Sequence, residues 1–273
     1  MKPYIIVIFA LLSSLWVYAQ ELSGVIKYRF IYSQPVHIPD NVTVVGSQST
    51  EFEVPAYLYF NSQKSLFNYD KLAYKNEEAS TTYKRKRDEY GQMYFIDKTK
   101  NELYIREFVY AKPYITHESV PIISWQLKNE VKTISGYVCK KAETTFRGRK
   151  YTVWYTSAIP VSVGPWKLQG LPGAILQAES EDKEVKFTTE SIRIPAYVEN
   201  ELNIKEIPDG KIVTYKEYLE SFEKERKSQE ETMKTMVLSF FEEQKQQGKA
   251  TGAPKREEMK LSIGKMFTIE KYE

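Results

Sequence analysis

From Gly24 to Tyr32 the chain alternates, with Ile26, Tyr28, Phe30 and Tyr32 on one side and Lys27 and Arg29 on the other. A period of two is the signature of a half-buried strand, and it constrains the fold because it recurs along the chain. Further strands are predicted over Tyr57–Phe60, Ser65–Tyr69, Thr81–Arg87, Gln92–Asp97 and Glu102–Val109, the last two joined by the polar turn Lys98–Asn101. Ser33–Thr50, rich in Pro, Asn, Gly and Ser, reads as a long loop. Two more hairpins follow: Tyr137–Phe146 with Lys150–Tyr155 around Arg147-Gly148-Arg149, and Ala174–Ser180 with Val185–Ile194 around Glu181-Asp182-Lys183. Hairpins without intervening helices make an antiparallel meander, not a parallel sheet. The 21 tyrosines suit pleated, half-buried surfaces. The predicted fold is mainly β (α+β): an antiparallel curved sheet or half-open barrel with a long C-terminal amphipathic helix.

The helix begins where the period changes. Thr214 and Glu217 have capping-box spacing, and Tyr218, Leu219 and Phe222 start an apolar stripe. The stripe returns at Met233, Met236, Val237 and Phe240 after a polar middle, and Gly248 is a stop signal. The organisation expected is a signal peptide over 1–19, a β domain over 20–213, a packed helix over 214–248, and a linker with a short terminal strand over 249–273.

Lys2, the apolar run Tyr4–Val17 and Val17-Tyr18-Ala19 before Gln20 have the order of a cleavable leader. The run is shorter than the roughly 20 residues a bilayer span needs. An exported protein is therefore expected, periplasmic, outer-membrane-associated or secreted, with no transmembrane span after processing. Lys and Arg number 39 against 36 Asp and Glu, which gives no electrostatic case for nucleic acid. The basic run Lys84–Arg87 reads as a solvated edge or hairpin. Cys139 is the single cysteine, so no internal disulfide framework exists. Its strand-like setting predicts a buried thiol over a reactive one or an intermolecular partner.

No Gly-x-Ser-x-Gly elbow, His-Glu-x-x-His, phosphate loop or dinucleotide fingerprint is present, so neither a catalytic residue nor a cofactor is assigned. His37 and His117 with Cys139 are too few ligands for a zinc centre, and no metal site is assigned. Paired carboxylates for glycoside hydrolysis stay open, since their separation is a property of the fold.

One stretch has an unusual composition. Trp154 to Ile175 interleaves Pro160, Gly164, Pro165, Gly170, Pro172 and Gly173 with Ile159, Val161, Val163, Trp166, Leu168 and Leu171. Fixed φ at proline and free φ at glycine impose a rigid, irregular path, with apolar side chains turned inward. Two readings are carried: a connection that plugs the core, and a lid over a ligand. Trp154, Trp166, Gly170, Leu171, Pro172 and Gly173 are the candidate ligand or loop residues.

Gly170-Leu171-Pro172-Gly173-Ala174-Ile175-Leu176, with Trp125, Lys132-Thr133-Ile134, Gly136-Tyr137-Val138-Cys139-Lys140-Lys141-Ala142, Trp154-Tyr155 and Gly164-Pro165 upstream, resembles the hallmark of the GLPGLI family of exported proteins. Ala174 departs from the leucine of that pattern. The resemblance implies an exported protein of unassigned activity and supplies no catalytic residues. The expected function is a noncatalytic binding or assembly factor of the cell envelope, with an apolar groove under the Gly/Pro loop and an apolar ligand or envelope protein as partner. The alternatives are a hydrolytic enzyme using carboxylates, or an interaction module for an outer-membrane protein.

Overall fold

The computed structural model describes residues 22–35, 49–70, 91–109, 112–202 and 210–246. The strands are β1 (Gly24–Pro35), β2 (Ser49–Phe60), β3 (Lys64–Tyr69), β4 (Met93–Asp97), β5 (Glu102–Val109), β6 (Lys112–Ser119), β7 (Gln126–Ile134), β8 (Tyr137–Phe146), β9 (Arg149–Thr156), β10 (Ala174–Ser180), β11 (Val185–Arg193) and β12 (Lys211–Ile212). The helices are α1 (Glu199–Leu202) and α2 (Tyr215–Gln246). One open 12-stranded sheet carries them in the order β12-β6-β5-β4-β3-β2-β1-β11-β10-β9-β8-β7. Every strand pair is antiparallel except β12 on β6. The protein is thus mainly β, as expected.

The sheet curls until its two ends approach. Arg147, in the β8–β9 turn, donates from Nη2 to both carboxylate oxygens of Glu118 on β6 at 2.7 Å. Thr144 on β8 donates to the carbonyl of Ser124, between β6 and β7, at 2.7 Å. Two hairpins are tight: Ser135-Gly136 (φ 50° and 83°) and Arg147-Gly148 (φ 50° and 72°) turn with positive φ at both positions, which matches the twist of the strands.

The inner face holds the main core. Phe30 stacks on Phe187 at 4.7 Å, Phe67 meets Phe187 edge-on at 5.8 Å, and the Tyr28 hydroxyl donates to the Ile175 carbonyl at 2.6 Å. The outer face of β2–β4 is apolar too, because Val198 and Leu202 from α1 and the segment before it cover Leu66, Met93 and Phe95.

At the start of α2 the Thr214 N–H donates to Glu217 Oε2 at 2.8 Å while the Glu217 N–H donates to Thr214 Oγ1 at 3.2 Å, completing the predicted capping box. Tyr218 is buried against Val109 and Val213, with Leu219 and Phe222 at the edge of the cluster. Further along, the helix ties its own charged side chains to one another, as in Arg226–Glu223 at 2.9 Å and Lys234–Glu230 at 3.1 Å.

Several expectations change. Strands claim the outer parts of the Ser33–Thr50 loop, since β1 runs to Pro35 and β2 begins at Ser49. The first hairpin extends because long β1–β2 pairing satisfies backbone donors that turn-rich composition does not forbid. β6 and β7 are additional strands; β7 is almost wholly exposed, so its side chains carry no alternation to read. The expected leader over 1–19, His37, Thr81–Arg87 and 249–273 lie outside the described residues.

Candidate functional site

Between β9 and β10 the Gly/Pro loop enters the mouth of the curled sheet. Val163 bridges Ala174, the Ala174 N–H donates to the Ile159 carbonyl at 3.1 Å and the Ile175 N–H to the Val163 carbonyl at 2.9 Å. Trp166 is 2% exposed, its ring 5.6 Å from Phe146, 6.3 Å from Tyr151 and 6.5 Å from Tyr94. Leu168 and Leu171 are buried beside it. Lys167 is buried as well, its ammonium 5.5 Å from the Trp166 ring centre, 5.9 Å from that of Tyr94 and 4.0 Å from Glu118. Trp125 fastens the far side, donating from Nε1 to the Gln169 carbonyl at 2.9 Å.

The glycines are needed where the path is tightest. Gly173 has φ +151° and a Cβ there would lie 2.0 Å from the Thr156 carbonyl oxygen. Gly170, at φ +98°, would bring a Cβ to 3.3 Å from Trp125 Nε1. Gly170 and the neighbouring Pro172 are exposed, whereas Trp166, Leu171 and Gly173 face inward. The loop's own side chains therefore fill the space beneath it.

Trp154 belongs to a different surface. On β9 it alternates with the buried Val153 and Tyr155, so it stands on the outer face, opposite the loop. Its ladder partners there are Lys141 on β8 and Gln177 on β10. The Lys132 ammonium, from β7, sits 4.2 Å above the Trp154 ring centre and donates to Gln177 Oε1 at 2.7 Å. Burial against the indole lowers the Lys132 pKa from its ordinary value, against the weaker pull of Cys139 and Glu179. Cys139, the cross-strand partner of Lys132, is fully buried; burial pushes its thiol up, opposed by the Ile134 backbone and by Lys132.

The same row continues through Thr188 on β11 to Arg29 on β1. Other lysines of this face are matched with acids: Lys128 with Glu143 at 3.1 Å, Lys141 with Glu143 at 3.0 Å and Glu130 at 3.2 Å, and Lys27 with Glu190 at 2.8 Å. Lys132 differs, since among the described residues no carboxylate lies within salt-bridge reach and its hydrogen-bond partner is the neutral Gln177 amide.

Elsewhere, Gly136, Val138, Lys140, Tyr155, Ser157 and Ala158 line part of a shallow depression of about 440 Å³ at the root of the loop. His117 stacks on Tyr104 at 4.3 Å and lies 3.8 Å from Glu102. Among the described residues there is no cluster of His, Cys, Asp or Glu able to hold a metal ion. Nor is any helix among them long and apolar enough to cross a membrane.

The sequence-derived candidates thus divide. Trp166, Gly170, Leu171, Pro172 and Gly173 belong to the loop, and Trp154 stands apart with Lys132 and Gln177, neither of which was among the candidate site residues. Strand parity was the available signal, because Trp154 between two inward residues must face out.

The family model that matches is that of the N-glycanase peptide, N-terminal domain, over residues 80–217. It overturns the resemblance to the GLPGLI family and the reading as a binding protein of that family, for which the comparisons give no support. That resemblance rested on the loop motif and on residues upstream to Trp125, whereas the match runs over residues 80–217 and through most of the sheet. The functional class it brings is glycan-related. Among solved structures the chain is similar to PNGF-II in two crystal forms. In the P21 form identity is 20% and the TM-score 0.48, over 76% of this chain and 34% of the other; in the C2 form identity is 20% and the TM-score 0.47, over 75% and 33%. The chain spans about a third of the length of those structures. No curated protein matches it.

Proposed function

The chain belongs to the family of the N-glycanase peptide N-terminal domain, and from that membership we propose that it serves glycan processing as an auxiliary module that engages the carbohydrate and leaves bond cleavage to another protein or domain. The single observation that carries this reading is the family match over residues 80–217, which takes in β4 to β12 and both faces of their part of the sheet. The inner face is occupied by the Gly/Pro loop and its aromatic contacts. The outer face of β7–β11 is polar and set with one indole, a surface suited to a hydroxyl-rich ligand. Residues 20–213 act as the module in this reading, with the helix as an arm. The leader ending at Ala19 supports an exported protein, for which N-terminal sequencing should read from Gln20.

The test is retention of the purified chain on an immobilised N-glycosylated protein, before and after enzymatic removal of the glycans. Retention lost with the glycans, and no glycan released by the chain itself, is the expected result. Glycan release by the chain alone would make it a hydrolase, and retention indifferent to the glycans would remove the carbohydrate from the account.

A further inference from the structure

Lysines on a strand surface ordinarily find a carboxylate, and on the outer face of β7–β11 the neighbours of Lys132 have done so. Lys128, Lys141 and Lys27 are each within 3.2 Å of a glutamate oxygen. Lys132 is held on an indole and a neutral amide instead. An ammonium carries three donors, and Gln177 Oε1 takes one of them. The positive charge is therefore positioned and partly dried without being neutralised by an acid, an arrangement that favours an incoming anion. Beside it, Trp154 offers the exposed part of a rigid apolar ring.

The row Lys141, Trp154, Gln177, Thr188 and Arg29 crosses β8, β9, β10, β11 and β1 at one level. Adjacent strands lie about 4.8 Å apart, so the row is about 19 Å long. It presents ammonium, indole, amide, hydroxyl and guanidinium in sequence, which matches a short saccharide better than a compact ligand.

Resting on the glycan-related reading above, we propose that this face binds a carboxylate-bearing sugar, with the carboxylate on the Lys132 ammonium and the sugar's C–H groups against the part of the Trp154 indole that the ammonium leaves uncovered. Gln177 positions the lysine and the rest of the row takes the adjoining sugar hydroxyls. A neutral sugar offers Lys132 only uncharged hydroxyl acceptors and binds more weakly.

The experiment titrates the full chain with 3′-sialyllactose, lactose and digalacturonate, followed by protein-detected NMR. Sialyllactose should bind more tightly than lactose by roughly tenfold or more, the order expected of one hydrogen bond to a charged group. Lys132→Met should bring sialyllactose down to the level of lactose, Lys132→Arg should keep most of the difference, and Trp154→Leu should weaken both. Thermal melts of each variant establish that it is folded. Digalacturonate binding with the same dependence on Lys132, in place of sialyllactose, supports the carboxylated-sugar site and places its ligand in an acidic polysaccharide instead of an N-glycan. Equal affinity for sialyllactose and lactose, or no response to Lys132→Met in a folded variant, overturns the proposal. If neutral and sialylated N-glycans bind alike and none of the variants matters, this site falls and the glycan-related function stands; if no N-glycan binds in any form, the broader reading falls as well.

Discussion

Trp154 and Trp166 leave the same stretch of chain for opposite destinations. Trp166 sits at φ +56° inside the mouth of the sheet, ringed by Tyr94, Phe146 and Tyr151. Trp154 lies half-buried on the outer face under a lysine. The difference teaches that an irregular, glycine-rich loop need not be the part of a protein that meets a ligand. Here the irregular segment completes the core of a sheet that cannot close on itself, and the regular strands present the chemically open surface.

Truncation of the two indoles should show the contrast most sharply. Trp166→Ala removes a fully buried aromatic whose surroundings cannot collapse, and should cost about 3 to 5 kcal/mol in denaturant melts. A loss no larger than that of an ordinary surface substitution would mean that the loop is not part of the core. Gly173→Ala comes next. The left-handed φ alone should cost about 1 to 3 kcal/mol, and a Cβ placed 2.0 Å from the Thr156 carbonyl forces the backbone apart as well. Gly170→Ala has space to 3.3 Å and should show the φ penalty without the clash. Equal melts for the two glycine variants would remove the steric part of the account.

Much of the fold was legible in the sequence because β1, β9 and the first half of β11 alternate between buried and less buried residues. β8 and β9 turn where Gly148 permits positive φ, and the cap at Thr214 was readable from spacing alone. β7 was not legible. Its residues Gln126–Ile134 lie at the sheet edge, mostly exposed on both sides, so no core imposed a pattern on them. The site was less legible still. Lys132 matters through what it lacks, a carboxylate in salt-bridge contact among the described residues, and its position follows from the register of β7 on β8, including the shift between Leu127 and Val131. Nothing local encodes that register. The loop motif announces backbone strain through its glycines and prolines, and that strain sits beside the packing of the buried Trp166 and Leu171.

The helix extends the comparison to a third region. Its first turns pack on Val109 and Val213, and charged residues follow from Glu223 to Glu231, so removing the cap should act locally. Thr214→Ala should cost about 0.5 to 2 kcal/mol, read as faster amide exchange over Tyr215–Phe222 with the strands unaffected. A loss matching that of Trp166→Ala, spread over the sheet, would place the helix in the same cooperative unit as the core.

The smallest effect is expected where the binding chemistry is concentrated. Trp154→Ala removes an indole that is only half-buried, so its cost should fall well below that at the fully buried Trp166. The cation–π contact with Lys132 should account for about 0.5 to 1 kcal/mol, the range for partly exposed pairs. A double-mutant cycle of Trp154→Ala with Lys132→Met isolates that contact from the indole's other packing. Coupling of this size, alongside the several-fold larger loss for Trp166→Ala, is the expected outcome. Coupling near zero would mean that the ammonium is held by Gln177 alone, and the Gln177→Ala variant would then release it. Coupling well above the range would show the pair to be as dry as the core, and an anion would have to displace a structural contact to reach Lys132. The intermediate value is what a surface needs if it is to hold its charge in place before a ligand arrives and still give it up when one does.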